Sequence, residues 1–533
     1  MNRKKKLRLS EADSATSPIQ TQNFIAPDKW IYAGLGAVYL LLVLWGLLSE
    51  GTWDDDCVGR FFRVKNAFND PSMFIDLWVR PLFALVYAIP LQLGKEAVVF
   101  ESALITVATC YFIYRSARLM DRPNAFMVIP LLAFQAFYFP VSFSALTEPL
   151  AALILAAGLF LHLKRRYLVF ALVGGLLPLA RLELAPLLLF WAVILLRRQH
   201  YGYIALLALP TIGWNFAGAL WSGDPIWLLH QVFTGDSNRY GHGSFWQYPQ
   251  RYIFFIGPAV FYLFMLGLQE RLFKRKFDFA LIQFLAGFSI YILFSWKLNI
   301  GHAAGFIRNI YPLSPFAALL ALEGFNSQFV TCLTKARFKR QLAYMAITVA
   351  LTLLFLSRKL VIHHIVTNEP DFINIAVMAP FIILFILSSY LFPKFYTSKY
   401  MLKLSATLVI GITMSYTLIT EPPITLIPER QVMQNVAKWY QDNDLEGLET
   451  YINHTWFFYS EDMDYFADNI HRTTVENLEA APEKSIIIWE SHYAHRLSGN
   501  VPYDYFKDKP YKILAQAQTP DRRFVVVIYQ KTR

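Results

Sequence analysis

Three adjacent carboxylates are the residues whose type and spacing point most directly to chemistry. Asp54, Asp55 and Asp56 follow the first long apolar run of the chain. Because three neighbouring negative charges repel each other, we expect at least one pKa to rise toward the range of a general base, unless a cation neutralises it. Asp54 and Asp56 could also bind a divalent cation, Mg²⁺ or Mn²⁺, through oxygen ligands. The alternative is that these acids cap the helix that follows. Capping needs one acid and three are present, which favours function.

A second candidate is a basic residue at the outward end of a predicted span. Arg308 lies in the sequence Gly301–Pro312, and Lys297 and His302 are near it. A guanidinium at the lipid headgroup level can donate two hydrogen bonds to a phosphate. We therefore interpret these three residues as a possible phosphate site. Snorkelling to the membrane surface, or pairing with a carboxylate, is the competing explanation.

Further polar candidates lie at or near predicted span ends. Ionisable groups inside or beside a membrane are functional candidates by default, although Arg181 could simply pair with an acid. Aromatic and polar side chains in the loop 222–250 would suit contact with a sugar or isoprenoid, and equally an interfacial aromatic belt. His492 and His495 have no further metal ligands at a recognisable spacing. The substrate-contact candidates are Glu148, Arg181, Glu183, His242 and Trp246.

These residues must be positioned by a membrane protein. The chain has 533 residues, of which 56% are apolar and 16% are charged, against about 25% charged in an average soluble domain. This composition excludes a soluble enzyme or a nucleic-acid binder. With about 20 residues needed to cross a bilayer, we predict about thirteen transmembrane helices, near 30–49, 96–115, 124–140, 147–163, 167–181, 183–196, 202–221, 251–269, 277–296, 307–325, 341–361, 371–392 and 401–420.

The net charge of +11 gives an orientation rather than a nucleic-acid partner. Basic residues cluster in alternate loops, and such loops face the cytoplasm. The sequence therefore predicts a cytoplasmic basic tail (1–29), a membrane module (30–421) and an outward-facing α/β domain (422–533). A helix is predicted to start at Pro428 in this domain, with Val432, Val436 and Tyr440 on one face. The first outer loop (50–95) is predicted to face outward as well. The membrane is predicted to be the plasma or inner membrane. Its apolar positions Val58, Phe61, Phe62 and Phe68 predict an amphipathic helix lying along the bilayer.

Several motifs together resemble the GT-C superfamily of integral-membrane glycosyltransferases. They are the acids after the first span, the return through Trp78-Val-Arg80-Pro-Leu, Thr147-Glu-Pro-Leu150, and Arg308 ahead of Tyr311-Pro-Leu-Ser-Pro. The branch that is similar uses sugars on polyprenyl phosphates and includes the protein O-mannosyltransferases and the lipid A aminoarabinose transferases. The resemblance implies a multi-pass α-helical fold with a small α/β domain.

The resemblance also implies a function. An acid of the first outer loop would be the catalytic base, and a basic residue such as Arg308 would meet the donor phosphate. The acceptor would be a glycan, lipid or protein hydroxyl at the outer face, and direct displacement would invert the anomeric centre. Since the family usually has two adjacent acids and this chain has three, the base stays open among them. The alternative function is a transporter or flippase of a lipid-linked glycan, for which paired half-sequences with midplane charges are typical.

Overall fold

The protein is a helical bundle followed by a small sheet domain. Its computed structural model describes residues 27–234, 243–298, 306–329, 399–497 and 499–533, together with short stretches between 343 and 383. The described α-helices of the first part are Asp28–Leu47, Asp55–Lys65, Pro81–Gln92, Lys95–Leu119, Val128–Ala133, Tyr138–Val141, Glu148–Leu163, Tyr167–Gly175, Leu177–Ala180, Leu188–Arg197, Tyr201–Ser222, Trp227–Thr234, Gln247–Ile256, Pro258–Phe273, Phe279–Leu293, Ser314–Phe329 and Lys399–Thr420. Short 3₁₀ turns lie at Asn66–Phe68, Pro71–Phe74, Ala125–Met127, Leu182–Leu187 and Ile307–Leu313, and a π-turn at Phe294–Leu298.

Within the described part of the chain, five helices are long and apolar enough to cross a membrane. They are Asp28–Leu47, Lys95–Leu119, Tyr201–Ser222, Phe279–Lys297 and Leu402–Thr420. Large apolar side chains such as Leu40, Leu44 and Leu220 are exposed on them, as expected where lipid replaces water. The chain is therefore an integral membrane protein. The predicted spans 341–361 and 371–392 lie largely outside the described residues. Between them, two short strands that the structure does describe, β1 (Val361–Ile362) and β2 (Ile365–Val366), pair antiparallel.

Two predicted spans are wrong as continuous helices. In the region predicted as the span 124–140, the helix ends at Ala133 and a new one begins at Tyr138. In the region predicted as the span 251–269, the helix is interrupted at Gly257, whose φ is 80°. Pro140 and Pro258 lack the N–H that a continuous helix would use. The two interruptions meet, because the N–H of Phe137 donates to the Phe255 carbonyl at 2.9 Å. Each break thus satisfies backbone groups of the other.

A pair of glycines fixes the helix that follows Arg308. Helices Pro258–Phe273 and Ser314–Phe329 pack backbone to backbone at Gly267 and Gly324. A Cβ on either glycine would collide with a carbonyl oxygen of the opposite helix. Small residues allow this close approach in membrane helices. The packing holds Ser314, and with it the turn Ile307–Leu313, at a fixed depth in the bundle.

Polar contacts tie the first outer loop to the end of the last described membrane helix. The Trp45 indole donates to the Glu421 carbonyl at 2.9 Å, the Ile424 N–H donates to Ser49 Oγ at 2.9 Å, and the Glu50 N–H donates to the Ile424 carbonyl at 2.9 Å. Chain segments about 375 residues apart in sequence therefore lie side by side where they leave the first and the last described membrane helix. This brings the three aspartates next to the C-terminal domain.

The C-terminal domain is a mixed sheet with flanking helices, as predicted. Its strands are β3 (Thr450–Tyr451), β4 (Ile470–His471), β5 (Ile486–Glu490), β6 (Tyr511–Gln518) and β7 (Val525–Lys531), and their order is β4-β3-β5-β7-β6. Strand β3 is parallel to β4 and β5, whereas β7 is antiparallel to β5 and β6. Its remaining elements are Pro428–Asp442, Trp456–Ser460, Val475–Ala480, a π-turn at Tyr493–Leu497 and a 3₁₀ turn at Tyr503–Phe506. In the helix that begins at Pro428, Val432, Val436 and Tyr440 are buried, which confirms the predicted face.

Candidate active site

The candidate site forms around one buried guanidinium. Arg308 donates from its two terminal nitrogens to the carboxylates of Asp54 and Asp56. Its Nε lies 3.4 Å from a carboxylate oxygen of Glu148. Arg308 is only 6% exposed, so this charge depends on its three acidic neighbours. The predicted pairing of Arg308 with carboxylates is present in this structure, and its role as a phosphate ligand stays a prediction.

The triplet is presented by the first turn of a helix. Asp54 has extended backbone and is the N-cap of helix Asp55–Lys65, and its Oδ1 accepts the Cys57 N–H at 3.3 Å. Carboxylates at a helix N-terminus are stabilised by the unpaired N–H groups and the helix dipole. The capping explanation therefore holds for Asp54. It does not account for Asp55 or Asp56, which make contacts of their own.

Asp55 faces away from Arg308 and contacts the C-terminal domain. Its Oδ1 accepts hydrogen bonds from Arg430 Nη2 at 3.0 Å and from the Trp456 indole at 2.6 Å, and its Oδ2 accepts one from the Tyr493 hydroxyl at 2.6 Å. Burial alone would raise the pKa of Asp55, but the charges of Arg430 and His454 and these hydrogen bonds outweigh it and hold the pKa below its ordinary value. A carboxylate satisfied in this way is a poor base.

Asp56 has the opposite electrostatic setting. Burial raises the pKa of Asp56 above its ordinary value, and the negative charges of Glu148 and Asp55 raise it further. The positive charge of Arg60 lowers this pKa but does not outweigh them. The Asp56 side chain is 32% exposed, compared with 17% for Asp54. Asp56 is thus the more accessible of the two acids on Arg308.

A second layer of charges lies behind Arg308. Arg181 donates to Glu148 at 2.8 Å and to the Asn309 side-chain oxygen at 2.8 Å, and it also pairs with Glu183. Glu183 in turn lies 3.5 Å from Arg80. The predicted candidates Glu148, Arg181 and Glu183 therefore do come together, next to the triplet. Glu148 joins the two layers because one of its oxygens faces both arginines.

The turn Ile307–Leu313 supplies both layers. Arg308 reaches the triplet and the next residue, Asn309, reaches Arg181. A 3₁₀ turn has about three residues per turn, so adjacent side chains diverge by roughly 120° and can serve two partners. Asn309 was not among the sequence candidates, since a single buried asparagine gives no pattern to recognise.

The remaining predicted residues contact other side chains or cannot be placed. Lys297 is exposed, with its ammonium 4.5 Å from the ring of Trp296. Trp246 is also exposed and contacts Phe245, with ring centroids 5.1 Å apart. His242 and His302 lie outside the described residues.

The predicted divalent site at Asp54 and Asp56 stays a prediction. In the described arrangement the Arg308 guanidinium binds both carboxylates. A metal ion would therefore have to displace an arginine that is already paired.

The helix that carries the triplet packs differently from the expectation. We expected its apolar face to lie along the bilayer. Phe61 and Phe62 instead pack edge-on against Tyr459, with centroids 5.3 Å and 6.4 Å away, and Arg60 is buried with its guanidinium 4.5 Å from the Trp78 ring. The physical reason is that aromatic residues of the C-terminal domain cover this face. Phe68, the last position of the stripe, is exposed.

The sequence missed the residues through which the C-terminal domain holds Asp55. Arg430, Trp456 and Tyr493 come from three separate segments, so no local spacing connects them. One signal was available: Arg430 follows Pro428 at the start of a helix whose buried face was predicted.

Two solved structures share this arrangement of elements. No protein-family model matches the sequence, and no curated protein matches it. The crystal structure of ArnT from Cupriavidus metallidurans bound to undecaprenyl phosphate is similar with a TM-score of 0.60 and 14% sequence identity, over 94% of this chain and 98% of that chain. Its apo structure is similar with a TM-score of 0.59 and the same identity and coverage.

The chain has the fold of ArnT. The fold that the GT-C resemblance implies is therefore confirmed over nearly the whole chain. At 14% identity the match to ArnT concerns the fold, and the roles of individual residues must be argued from the contacts given above.

Proposed function

We propose that the protein is a membrane glycosyltransferase that moves a sugar from a polyprenyl phosphate to a hydroxyl acceptor at the outer face of the inner membrane. The observation that carries the proposal is the direct contact of Arg308 with Asp54 and Asp56. One site then holds a ligand for a phosphate and a base for an alcohol. The ArnT fold supports it, because one ArnT structure contains undecaprenyl phosphate.

Arg308 is the phosphate ligand in this proposal. Its fork of N–H donors fits two phosphate oxygens as well as it fits two carboxylates. An incoming lipid phosphate exchanges with Asp54 and Asp56. Glu148, whose oxygen lies 3.4 Å from Nε, keeps the guanidinium in place during the exchange. The guanidinium thus stays paired with negative charge when the donor binds.

The exchange also prepares the base. The ion pair with Arg308 opposes the raised pKa of Asp56, and it is lost when the phosphate takes the guanidinium. We assign the base to Asp56, because Asp54 uses one oxygen to cap the helix and is less exposed. Asp54 then steers Arg308 and fixes the helix end.

The reaction is a single displacement. Asp56 accepts the proton of the acceptor hydroxyl, and the new bond forms between that oxygen and the anomeric carbon. The bond from the anomeric carbon to the phosphate oxygen breaks, and its electron pair leaves on the phosphate, where Arg308 stabilises the charge. The configuration at the anomeric carbon inverts.

The test is transfer by the purified full-length protein in liposomes. Radiolabelled polyprenyl-phosphate sugars are supplied with lipid, glycan and peptide acceptors, and labelled product is measured for wild type, Asp56→Asn and Arg308→Ala. Transfer by wild type alone supports the proposal. Transfer by Asp56→Asn at the wild-type rate contradicts the assigned base.

A separate arm addresses the transporter alternative. A fluorescent lipid-linked glycan is loaded into one leaflet, and its movement to the other leaflet is measured in the same liposomes. Movement that depends on the protein, without any labelled product, would contradict glycosyl transfer and favour a flippase.

A further inference from the structure

Behind the contacts of Asp55 lies a second cluster of polar residues that the proposed reaction does not use. It consists of Glu429, His454 and His492, and the ligand atoms of all three lie within 4.8 Å of one another. The same Glu429 oxygen, Oε1, is 3.0 Å from His454 Nε2 and 2.6 Å from His492 Nδ1. No metal-binding pattern surrounds His492 in the sequence, because its neighbours in space are 38 and 63 residues away.

We propose that Glu429, His454 and His492 form a binding site for a divalent metal ion of the zinc class. Two imidazoles and one carboxylate are a common set of protein ligands for zinc, with metal–ligand distances of about 2.0–2.2 Å. Ligand atoms around a tetrahedral ion are then about 3.3 Å apart. The separations of 3.0 Å and 2.6 Å need only a small expansion to admit the ion. Nitrogen ligands favour zinc and its neighbours over magnesium or calcium.

The burial of the three side chains suits a bound metal ion. The His454 side chain is fully buried, with the rings of Tyr493 and Phe524 at 5.0 Å and 5.7 Å. The side chains of His492 and Glu429 are 36% and 23% exposed, so one side of the cluster is open for an ion to enter. A closed apolar wall with one open side is typical of a metal site that keeps a water as its further ligand.

Metal binding requires His454 to change its tautomer. The Trp456 N–H donates to His454 Nδ1 at 3.4 Å, so without a metal the neutral ring carries its proton on Nε2, toward Glu429. An ion bound at Nε2 requires that proton to move to Nδ1. The Trp456 contact that is given up is longer than an ordinary hydrogen bond. Because protons compete with the ion for imidazole and carboxylate ligands, its affinity should fall as the pH falls.

The position of the cluster gives the ion a structural role. Each ligand lies within two residues of a partner of Asp55: Glu429 precedes Arg430, His454 is two residues before Trp456, and His492 precedes Tyr493. An ion that joins the three ligands would hold together the three segments that bind Asp55. The metal would thus fix the C-terminal domain against the catalytic loop without touching the reacting atoms.

The experiment uses the full-length protein, purified in detergent and stripped with a chelator. Zinc is titrated, bound zinc is measured by mass spectrometry, and the midpoint of thermal unfolding is followed. Wild type should retain one zinc per chain and unfold at a higher temperature with zinc, and magnesium should not replace it. His492→Asn and Glu429→Gln should weaken zinc binding by about 100-fold or more, since even indirect changes to a site cost about 10- to 100-fold.

The chain offers a matched control in the same domain. His471 Nε2 lies 2.5 Å from Glu449 Oε2, a histidine–glutamate pair to which the structure adds no third ligand among the described residues. His471→Asn should leave zinc binding unchanged. The proposal is overturned if wild type binds no zinc, or if both cluster variants bind it as tightly as wild type. It is also overturned if the control loses zinc equally. None of these readouts depends on sugar transfer, so they stand apart from the proposed function.

Discussion

Two sides of one helix end show how neighbouring aspartates are used differently. Asp54 and Asp56 share Arg308, a charge that a phosphate takes from them in the proposed reaction. Asp55 is held by Arg430, Trp456 and Tyr493, donors that also pack against each other, with the Arg430 guanidinium 4.4 Å from the Trp456 ring. In the proposed reaction, Asp54 and Asp56 give up Arg308 to the phosphate. Both carboxylate oxygens of Asp55, in contrast, already accept hydrogen bonds from the C-terminal domain.

The difference separates a reactive group from an anchor. A carboxylate can act as a base only if its lone pairs can reach the substrate and if its pKa is near the working pH. Burial and nearby acids push Asp56 in that direction, whereas positive charge and hydrogen bonds push Asp55 the other way. Identical residues in adjacent positions thus acquire separate roles from the elements that face them.

Changing Arg308 should have the largest effect. Arg308→Ala should lower the rate of transfer by about 10²–10³ or more, because it removes the charge that stabilises the leaving phosphate. It also removes the cation that Asp54, Asp56 and Glu148 share, so circular dichroism and thermal unfolding are needed beside the rate. Arg308→Lys keeps the charge and should recover part of the activity. A lysine variant with full activity would contradict the need for a two-pronged donor.

Changing the proposed base should have the next largest effect. Asp56→Asn should lower the transfer rate by about 10²–10⁴, the usual contribution of a general base. The base acts only when deprotonated, so the wild-type rate should rise with pH through the pKa of Asp56, and this acidic limb should vanish in the variant. The pH profile of single-turnover transfer checks the assignment. An unchanged limb in Asp56→Asn, together with its loss in Asp54→Asn, would move the base to Asp54.

Changing the anchor should mainly affect stability. Asp55→Asn keeps one oxygen, whereas Trp456 and Tyr493 donate to different oxygens of Asp55. It also leaves Arg430 without its negative partner, so the free energy of unfolding should fall by about 1–3 kcal/mol. Because the folded-state pKa of Asp55 is lowered, its contribution is fully present above the unfolded value of about 3.9 and is lost as the pH falls through the folded value.

Thermal unfolding of wild type and Asp55→Asn across this acidic range is the measurement for the anchor. The difference between the two proteins should shrink on acidification. A difference that stays constant with pH would mean that the ionised form of Asp55 is not the stabilising one.

The smallest effect is expected at the edge of the site. Lys297 was predicted to bind the donor phosphate, yet it contacts the Trp296 ring. Lys297→Ala should change the Michaelis constant for the lipid donor by less than about threefold, as is usual for an exposed cation. A loss of tenfold or more would extend the phosphate site beyond Arg308.

The helical membrane module and the small C-terminal α/β domain were predicted correctly because they depend on local patterns. Apolar runs reveal helices. Three adjacent acids mark a candidate site without a structure, and their chemistry stays a prediction. The breaks at Phe134–Phe137 and Gly257 were missed, since their backbone groups are satisfied by each other across the bundle.

The sequence also could not predict which acid of the triplet contacts which partner. Arg308 lies more than 250 residues from Asp54 and Asp56, and Tyr493 more than 400 residues from Asp55. Only folding decides which acid meets which partner.

The central claim is that Arg308 exchanges two carboxylates for the lipid phosphate. The most direct measurement is the affinity for undecaprenyl phosphate of wild type, Asp56→Asn and Arg308→Ala in nanodiscs, read beside sugar transfer. Removing a competing carboxylate should tighten binding in Asp56→Asn while transfer is lost, and Arg308→Ala should weaken binding at least tenfold. If Asp56→Asn binds the lipid phosphate more weakly than wild type, or Arg308→Ala binds it equally well, the exchange does not occur.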